Sequence, residues 1–185
     1  MRLLIGGAFC LSVVGLPLAF GYLFAYAFAL KSDPFAPLPP WERWTQMFIV
    51  GLHALAVFLA WFGIPFLAAL VLSGIFALAP GGVLDIFAWL AIGVAEVFGL
   101  CLFVSAMIHY QRIREWRALI EFESIFKPLE RHWKKLIVPC LAWLGFMTLG
   151  LPLLPFTFFL GITVFLAYAV PLLSRLDAIE MQSNP

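Results

Sequence analysis

Charged side chains are scarce in this sequence. Of its 185 residues 11% are charged and 64% are hydrophobic, whereas a soluble domain carries about 25% charged residues. Eleven Lys+Arg against ten Asp+Glu leave a net charge of +1, so there is no basic face of the kind that holds nucleic acid. Low charge together with 17% aromatic residues also excludes disorder. The composition is that of an integral membrane protein.

Catalytic and metal-binding patterns are missing as well. The three cysteines, Cys10, Cys101 and Cys140, lie in apolar surroundings without metal-ligand spacing. The sequence has no phosphate-binding loop, no Gly-x-Ser-x-Gly and no His-Glu-x-x-His. Intramembrane proteolysis needs a Ser–His or paired-Asp arrangement, and neither is evident. We therefore expect a protein without enzymatic activity and without a cofactor.

Three charge-free stretches are long enough to enter a bilayer. They are residues 3–30, 44–84 and 136–174, with lengths of 28, 41 and 39 residues. A spanning helix needs about 20 apolar residues, so the first stretch suits one helix and each of the others has about twice the required length. A fourth segment, residues 86–110, contains one charged side chain, Glu96.

The two longest stretches are interrupted by glycine and proline near their middles. The first break contains Gly63 and Pro65, and the second contains Gly150, Pro152 and Pro155. Proline removes a backbone donor and crowds the preceding turn, so a kink or reversal is expected. We interpret each stretch as a helical hairpin of two short membrane helices. The alternative is a single kinked helix whose remainder lies along the interface.

The two halves of the chain resemble each other. The segment Pro-Trp-Glu-Arg at 40–43 corresponds to Pro-Leu-Glu-Arg at 128–131, a shift of 88 residues, and the two glycine–proline breaks correspond at a shift of 87. The pattern predicts a single membrane domain with pseudo-repeats over residues 1–84 and 85–185. Each repeat consists of one helix followed by a broken hairpin.

Basic residues predict the orientation of the chain. Seven of the eleven Lys and Arg residues lie within 111–135, and positive charge is retained on the cytoplasmic side. The expected location is a bacterial cytoplasmic membrane, with this segment facing the cytoplasm. The hairpin interpretation gives six membrane crossings and the kinked-helix interpretation gives four.

The basic segment also carries apolar residues near helical spacing, among them Trp116 and Trp133. This suits amphipathic helices that lie at the membrane surface. Trp41 and Trp44 occupy the equivalent place in the first half, at the headgroup level where indole rings are favoured. We interpret all four as interfacial anchors; a docking site for a cytoplasmic partner is the functional alternative.

Glu96 is the sharpest exception to the apolar pattern. It lies well inside its helix, where a bare carboxylate costs several kcal/mol. It is therefore either a proton or cation site or a neutral acid bonded to a neighbouring helix. In the hairpin interpretation His53 falls at a similar depth, so a His–Glu pair across two helices is a further alternative.

Small residues recur every fourth position on two predicted helices, which places each set on one face and allows close backbone approach. These predicted packing faces are Gly21, Ala25 and Ala29, and Ala91, Ala95 and Gly99.

Three short motifs are similar to those of a known family. They are Gly21-Tyr22-Leu23, Leu38-Pro39-Pro40-Trp41-x-x-Trp44, and Phe122-x-x-x-Phe126 ahead of a final Gly-rich hairpin. In this order they resemble an uncharacterised family of prokaryotic polytopic membrane proteins, a domain of unknown function. That family often closes with a polar Gly-Gln segment, where this sequence has Pro171-Leu-Leu-Ser-Arg175. The resemblance implies a multi-pass helical architecture with no assigned activity.

The sequence thus predicts an all-α polytopic membrane helix bundle. The leading functional hypothesis is a non-catalytic scaffold or accessory subunit that acts through helix packing and its basic segment. Its partners would be the lipid bilayer and other membrane subunits or second copies of the chain, but no nucleic acid. The second hypothesis is a small transporter or channel for an ion, a proton-coupled solute or a lipid. In that case a solvated cavity lined by Glu96 and His53 is expected.

Overall fold

A computed structural model describes residues 2–78, 84–113, 115 and 121–183, without the side chains of 132, 149, 151 and 175–183. Every regular element in these ranges is helical, which confirms the predicted all-α fold class. Trp116 lies outside the described residues.

The helices follow one another as seven α-helical elements in the described ranges. They are α1 (Arg2–Phe9), α2 (Gly15–Ser32), α3 (Trp44–Phe58), α4 (Ile64–Ala77), α5 (Asp85–Ile113), α6 (Phe122–Leu149) and α7 (Leu154–Ser183). A π-helical turn, Leu59–Gly63, joins α3 to α4, and a 3-10 turn, Leu151–Leu153, precedes α7. Three helical segments are long and apolar enough to cross a membrane: Trp44–Ala77, Asp85–Ile113 and Leu154–Ser174.

The first apolar stretch is two helices rather than the one expected. The chain leaves helical geometry between α1 and α2, where the Gly15 N–H donates to the Ser12 hydroxyl at 2.9 Å. Serine side chains compete in this way with helical backbone bonds. The break lets α1 fold against α7, with Gly6 under the ring of Phe159 and Gly7 under that of Phe156.

The chain does not reverse at Gly63 and Pro65. Here α3, the π turn and α4 form one continuous helix of 34 residues, about 51 Å long at 1.5 Å per residue. The Ile64 N–H reaches back five residues to the Leu59 carbonyl, and such a widened turn accommodates the proline ring and its missing donor. The predicted first hairpin is therefore wrong, and so is the six-crossing arrangement that required it.

The second break is a true reversal. Gly150 ends α6, Pro152 lies in the 3-10 turn, and Pro155 enters the first turn of α7, where an N–H would have no helical partner anyway. The two helices then pack antiparallel, with the rings of Trp143 and Phe158 5.7 Å apart. This break contains two prolines, whereas the first break contains only Pro65. The two breaks, which the predicted duplication treats as equivalent, therefore differ in backbone conformation. The duplication itself stays a prediction.

An aromatic cluster joins four helices at the centre of the bundle. The ring of Phe58 at the end of α3 lies 4.8 Å from Phe20 of α2, 5.2 Å from Phe103 of α5 and 5.7 Å from Phe158 of α7. Tilted and edge-to-face pairs at these separations are favourable arrangements of aromatic rings. The core of the protein is therefore centred where α3 meets the π turn.

Backbone contact between α2 and α3 holds the bundle on its other side. A Cβ atom on Gly51 would lie 1.6 Å from the Pro17 carbonyl oxygen, and one on Gly21 would lie 2.0 Å from that of Met47. Only glycine fits at such a crossing. Gly21, the first residue of a predicted packing face, thus lies where the two helices approach most closely.

Beyond the bundle, α4 and the first half of α5 form a two-helix arm. Ala69 is the one buried residue of α4, and in α5 the buried residues begin at Gly99. The arm is apolar and faces outward; among its exposed side chains are Leu67, Val71, Ile75, Ile86, Trp89, Leu90 and Val94.

We predict that Gly51→Ala destabilises the protein by about 3 kcal/mol, the upper part of the range for overpacking, because its new methyl group must displace the α2 backbone. Gly74→Ala is the matched control, since a Cβ there meets nothing within 4 Å. Circular dichroism during denaturation of the detergent-solubilised protein measures both. Equal stability of the two variants would contradict the close crossing.

We also predict that a cysteine at residue 63, in a cysteine-free background, is protected from membrane-impermeant maleimides added to either side. A Cβ on Gly63 meets only the Leu59 side chain, at 3.6 Å, so the variant folds. A cysteine at Pro152, which lies at a reversal, is labelled from one side. Labelling of residue 63 from the cytoplasm would reinstate the first hairpin.

Candidate functional site: the groove between α5 and α6

The largest cavity described is an apolar groove of about 760 Å³ between α5 and α6. One wall is the arm half of α5, and the other is a face of α6 whose members recur at spacings of three and four residues, as one side of a helix requires. That face consists of Phe126, Leu129, Trp133, Leu136 and Cys140. The charged lining residue is Glu130, so the groove suits an apolar occupant.

Two polar contacts join α5 to α6. The Ser105 hydroxyl of α5 donates to the Ile125 carbonyl of α6 at 2.7 Å. The second contact lies at the base of the groove, where the Sγ atoms of Cys101 and Cys140 are 3.3 Å apart and both cysteines are buried.

Aromatic contacts connect the groove-lining rings of Phe98 and Phe126 to the π turn. Trp61 meets Phe122 at 5.2 Å and Phe126 at 6.1 Å, and Phe98 meets Phe126 at 6.0 Å. The π turn therefore positions Trp61 against α6 and holds one wall in place. Trp133, which was predicted as an interfacial anchor, lies on α6, lines the groove and is half exposed.

Glu96 lies on α5 but outside the lining of this groove, and it is half-buried. His53 lies elsewhere, in a second cavity of about 490 Å³ between α2 and α3. Its ring is 6.2 Å from that of Tyr110, which follows Glu96 by 14 residues, or about 21 Å of helix. The structure therefore does not bring Glu96 and His53 together.

A third cavity, of about 240 Å³, lies where α5 passes the beginning of α6, and it is lined by His109, Arg112 and Lys127 among others. Carboxylates accompany these basic groups: Glu121 lies 2.9 Å from His109, and Glu123 lies 2.8 Å from Lys127. The hydrogen bond from the Lys127 ammonium holds the pKa of Glu123 below its usual range.

The tryptophans of the first half lie on the bundle rather than apart from it. Trp41 stacks on Tyr22 at 4.2 Å and on Trp44 at 5.8 Å, and its ring N–H donates to the Arg2 carbonyl at 3.1 Å. The two tryptophans therefore pack α1, α2 and the segment that leads into α3 against one another.

Comparison with known proteins gives a match to a family model. Residues 4–154 match the model of a family described as "Protein of unknown function (DUF4013)". The chain belongs to the DUF4013 family. No curated protein and no solved structure matches it.

The DUF4013 match spans α1 to α6 and ends at the start of α7. The motifs quoted for the resemblance all fall within it, and the departing segment 171–175 falls outside. Yet α7 supplies a large share of the core, with Phe159, Ile162, Phe165 and Leu166 at most 1% exposed. In this DUF4013 protein the bundle is therefore completed by a helix beyond the matched region.

Several site residues were not found from the sequence. The thiol pair is 39 residues apart and follows no motif. Two polar contacts between α2 and α5 were missed as well: Lys31 donates to the Ile108 carbonyl, and the Gln111 amide donates to the Phe24 carbonyl, each at 3.2 Å. Such contacts depend on which helices become neighbours, and local spacing does not carry that information.

Of the predicted packing residues on α5, Gly99 makes the closest approach: a Cβ there would lie 3.2 Å from the Cα of Phe62. Ala91 and Ala95 are half-buried on the arm, and Ala25 and Ala29 are half-buried on α2. Gly21, which the first of the resembling motifs contains, lies at the α2–α3 crossing of this chain.

We predict that Glu96→Gln leaves folding and membrane insertion of this DUF4013 protein intact, because the carboxylate is remote from His53 and does not line the groove. Membrane fractionation and thermal unfolding in detergent measure both. Loss of the variant from membranes would show that the acid is needed for assembly of the helices.

Proposed function

We propose that this protein is a non-catalytic multi-pass membrane protein that acts as an accessory or scaffold subunit. The observation that carries the proposal is the arm of α4 and the first half of α5. Its apolar side chains face outward on two helices that are each part of a candidate membrane span. Apolar surface of this extent marks a site of contact with lipid or with another membrane protein.

Glycines on the arm favour a protein neighbour over lipid alone. A Cβ on Gly74 or Gly93 meets nothing within 4 Å, whereas the protein's own helices occupy the space beside Gly21, Gly51 and Gly99. In membranes, helices associate where small residues let backbones approach. The open space beside Gly74 and Gly93 is therefore suited to close packing by a membrane helix from another subunit.

Transport receives less support from the geometry. A path for an ion or a polar solute needs polar groups facing a shared cavity, and Glu96 and His53 are on separate parts of the molecule. The groove, which is the largest cavity described, is apolar apart from Glu130. A cytoplasmic membrane location, with the basic segment 111–135 facing the cytoplasm, is part of this proposal.

We predict that a photo-reactive phenylalanine analogue at Val71 or Leu90, on the arm, forms a discrete protein–protein adduct in native membranes. These side chains are 66% and 60% exposed. Electrophoresis under denaturing conditions measures the adduct, and two differently tagged copies of the chain distinguish self-association from a different partner.

The matched control places the same analogue at Val138 of α6, which is apolar and 71% exposed but lies off the arm. It is expected to yield lipid adducts without a discrete protein band. Lipid adducts alone at both arm positions would contradict the scaffold proposal.

A further inference from the structure

We infer that Cys101 and Cys140 form a reversible dithiol–disulfide site at the base of the groove, oxidised by a membrane-soluble acceptor of the quinone class. The inference goes beyond the role proposed for the arm, with which the groove shares the first half of α5. It begins from two thiols on different helices whose Sγ atoms are 3.3 Å apart.

The contact is specific to this pair. Cys101 and Cys140 are 5% and 2% exposed, so each thiol has the other as its neighbour and little access to other chains. The third cysteine, Cys10, follows α1 and is half-buried, and no thiol contact to it is present among the described residues. A disulfide needs its sulfurs at about 2.0 Å, and the remaining approach is small for side chains already in contact.

The groove determines which oxidant can arrive. Its walls are apolar and carry the rings of Trp89, Phe98, Phe126 and Trp133. A membrane-soluble, planar molecule enters such a groove readily, whereas a charged peptide disulfide does not. Quinones have these properties and accept two electrons.

The oxidation balances within this scheme. One Sγ–Sγ bond forms and two S–H bonds break, and the two electrons and two protons pass to the quinone, which leaves as the quinol. A dithiol reductant reverses the step by thiol–disulfide exchange. The bond ties α5 to α6 at the base of the groove, so it limits how far the groove can open.

The test uses the full chain in membranes with Cys10→Ser, so that only the pair remains. The sample is treated with diamide or with a short-chain benzoquinone whose ring positions are all substituted, so that thiols cannot add to the ring. It is then quenched in acid, denatured and alkylated with N-ethylmaleimide. Intact-mass spectrometry then counts the labels. We expect two labels before treatment, none after either oxidant, a monomeric band on a non-reducing gel, and recovery of both labels after dithiothreitol.

A matched control moves one thiol by a single helical turn along the same groove. In Cys10→Ser with Cys140→Ser and Leu144→Cys, the thiols face the same cavity but are displaced by about 6 Å along α6, and both labels should persist. The variant with Cys10→Ser and Cys101→Ser should keep its one maleimide label after oxidation. This result would show that the loss of labels requires both Cys101 and Cys140.

Three outcomes overturn the inference. Retention of both labels after diamide, in a chain that accepts two maleimides once denatured, refutes the disulfide. Equal closure in the Leu144→Cys control refutes a specific site. Closure with diamide but not with benzoquinone refutes the assigned oxidant class.

Discussion

The meeting of four aromatic rings at Phe58 is the contact on which the rest of the structure depends. It fastens α2, α5 and α7 to the end of α3, immediately before the chain enters the π turn. Because that turn widens the helix without reversing it, α4 continues away from the cluster and carries the second half of the long helix out of the bundle. The arm exists because the core ends at this point.

The division of α5 into a half inside the bundle and a half in the arm also explains the groove. From Gly99 to Ile108 every residue of α5 is buried, whereas the preceding half pairs with α4 and leaves its other face open. α6 contacts the buried half of α5 through Ser105 and Cys101, and the groove lies between α6 and the arm half of α5. The cavity and the buried pair of thiols at its base therefore lie where α5 changes neighbours.

Much of the architecture could be predicted from local sequence. Scarce charge and long apolar stretches indicated an all-helical, membrane-compatible protein, and glycine spacing pointed to Gly21 and Gly99, both of which lie at close approaches. The outcome at Pro65 could not be predicted in this way. A single proline permits a kink, a π turn or a reversal, and the outcome depends on how neighbouring helices pack against the residues on either side of it.

Composition and apolar length by themselves determined the all-helical fold class and the candidate membrane spans, because lipid leaves the backbone only internal hydrogen bonds and forces such stretches into helices. Tertiary structure alone decided that Gly150 reverses the chain while Gly63 does not, that His53 and Glu96 lie apart, and that two thiols 39 residues distant in sequence touch. These are contacts between elements. They follow from side-chain packing summed over several helices, which no single stretch of sequence contains.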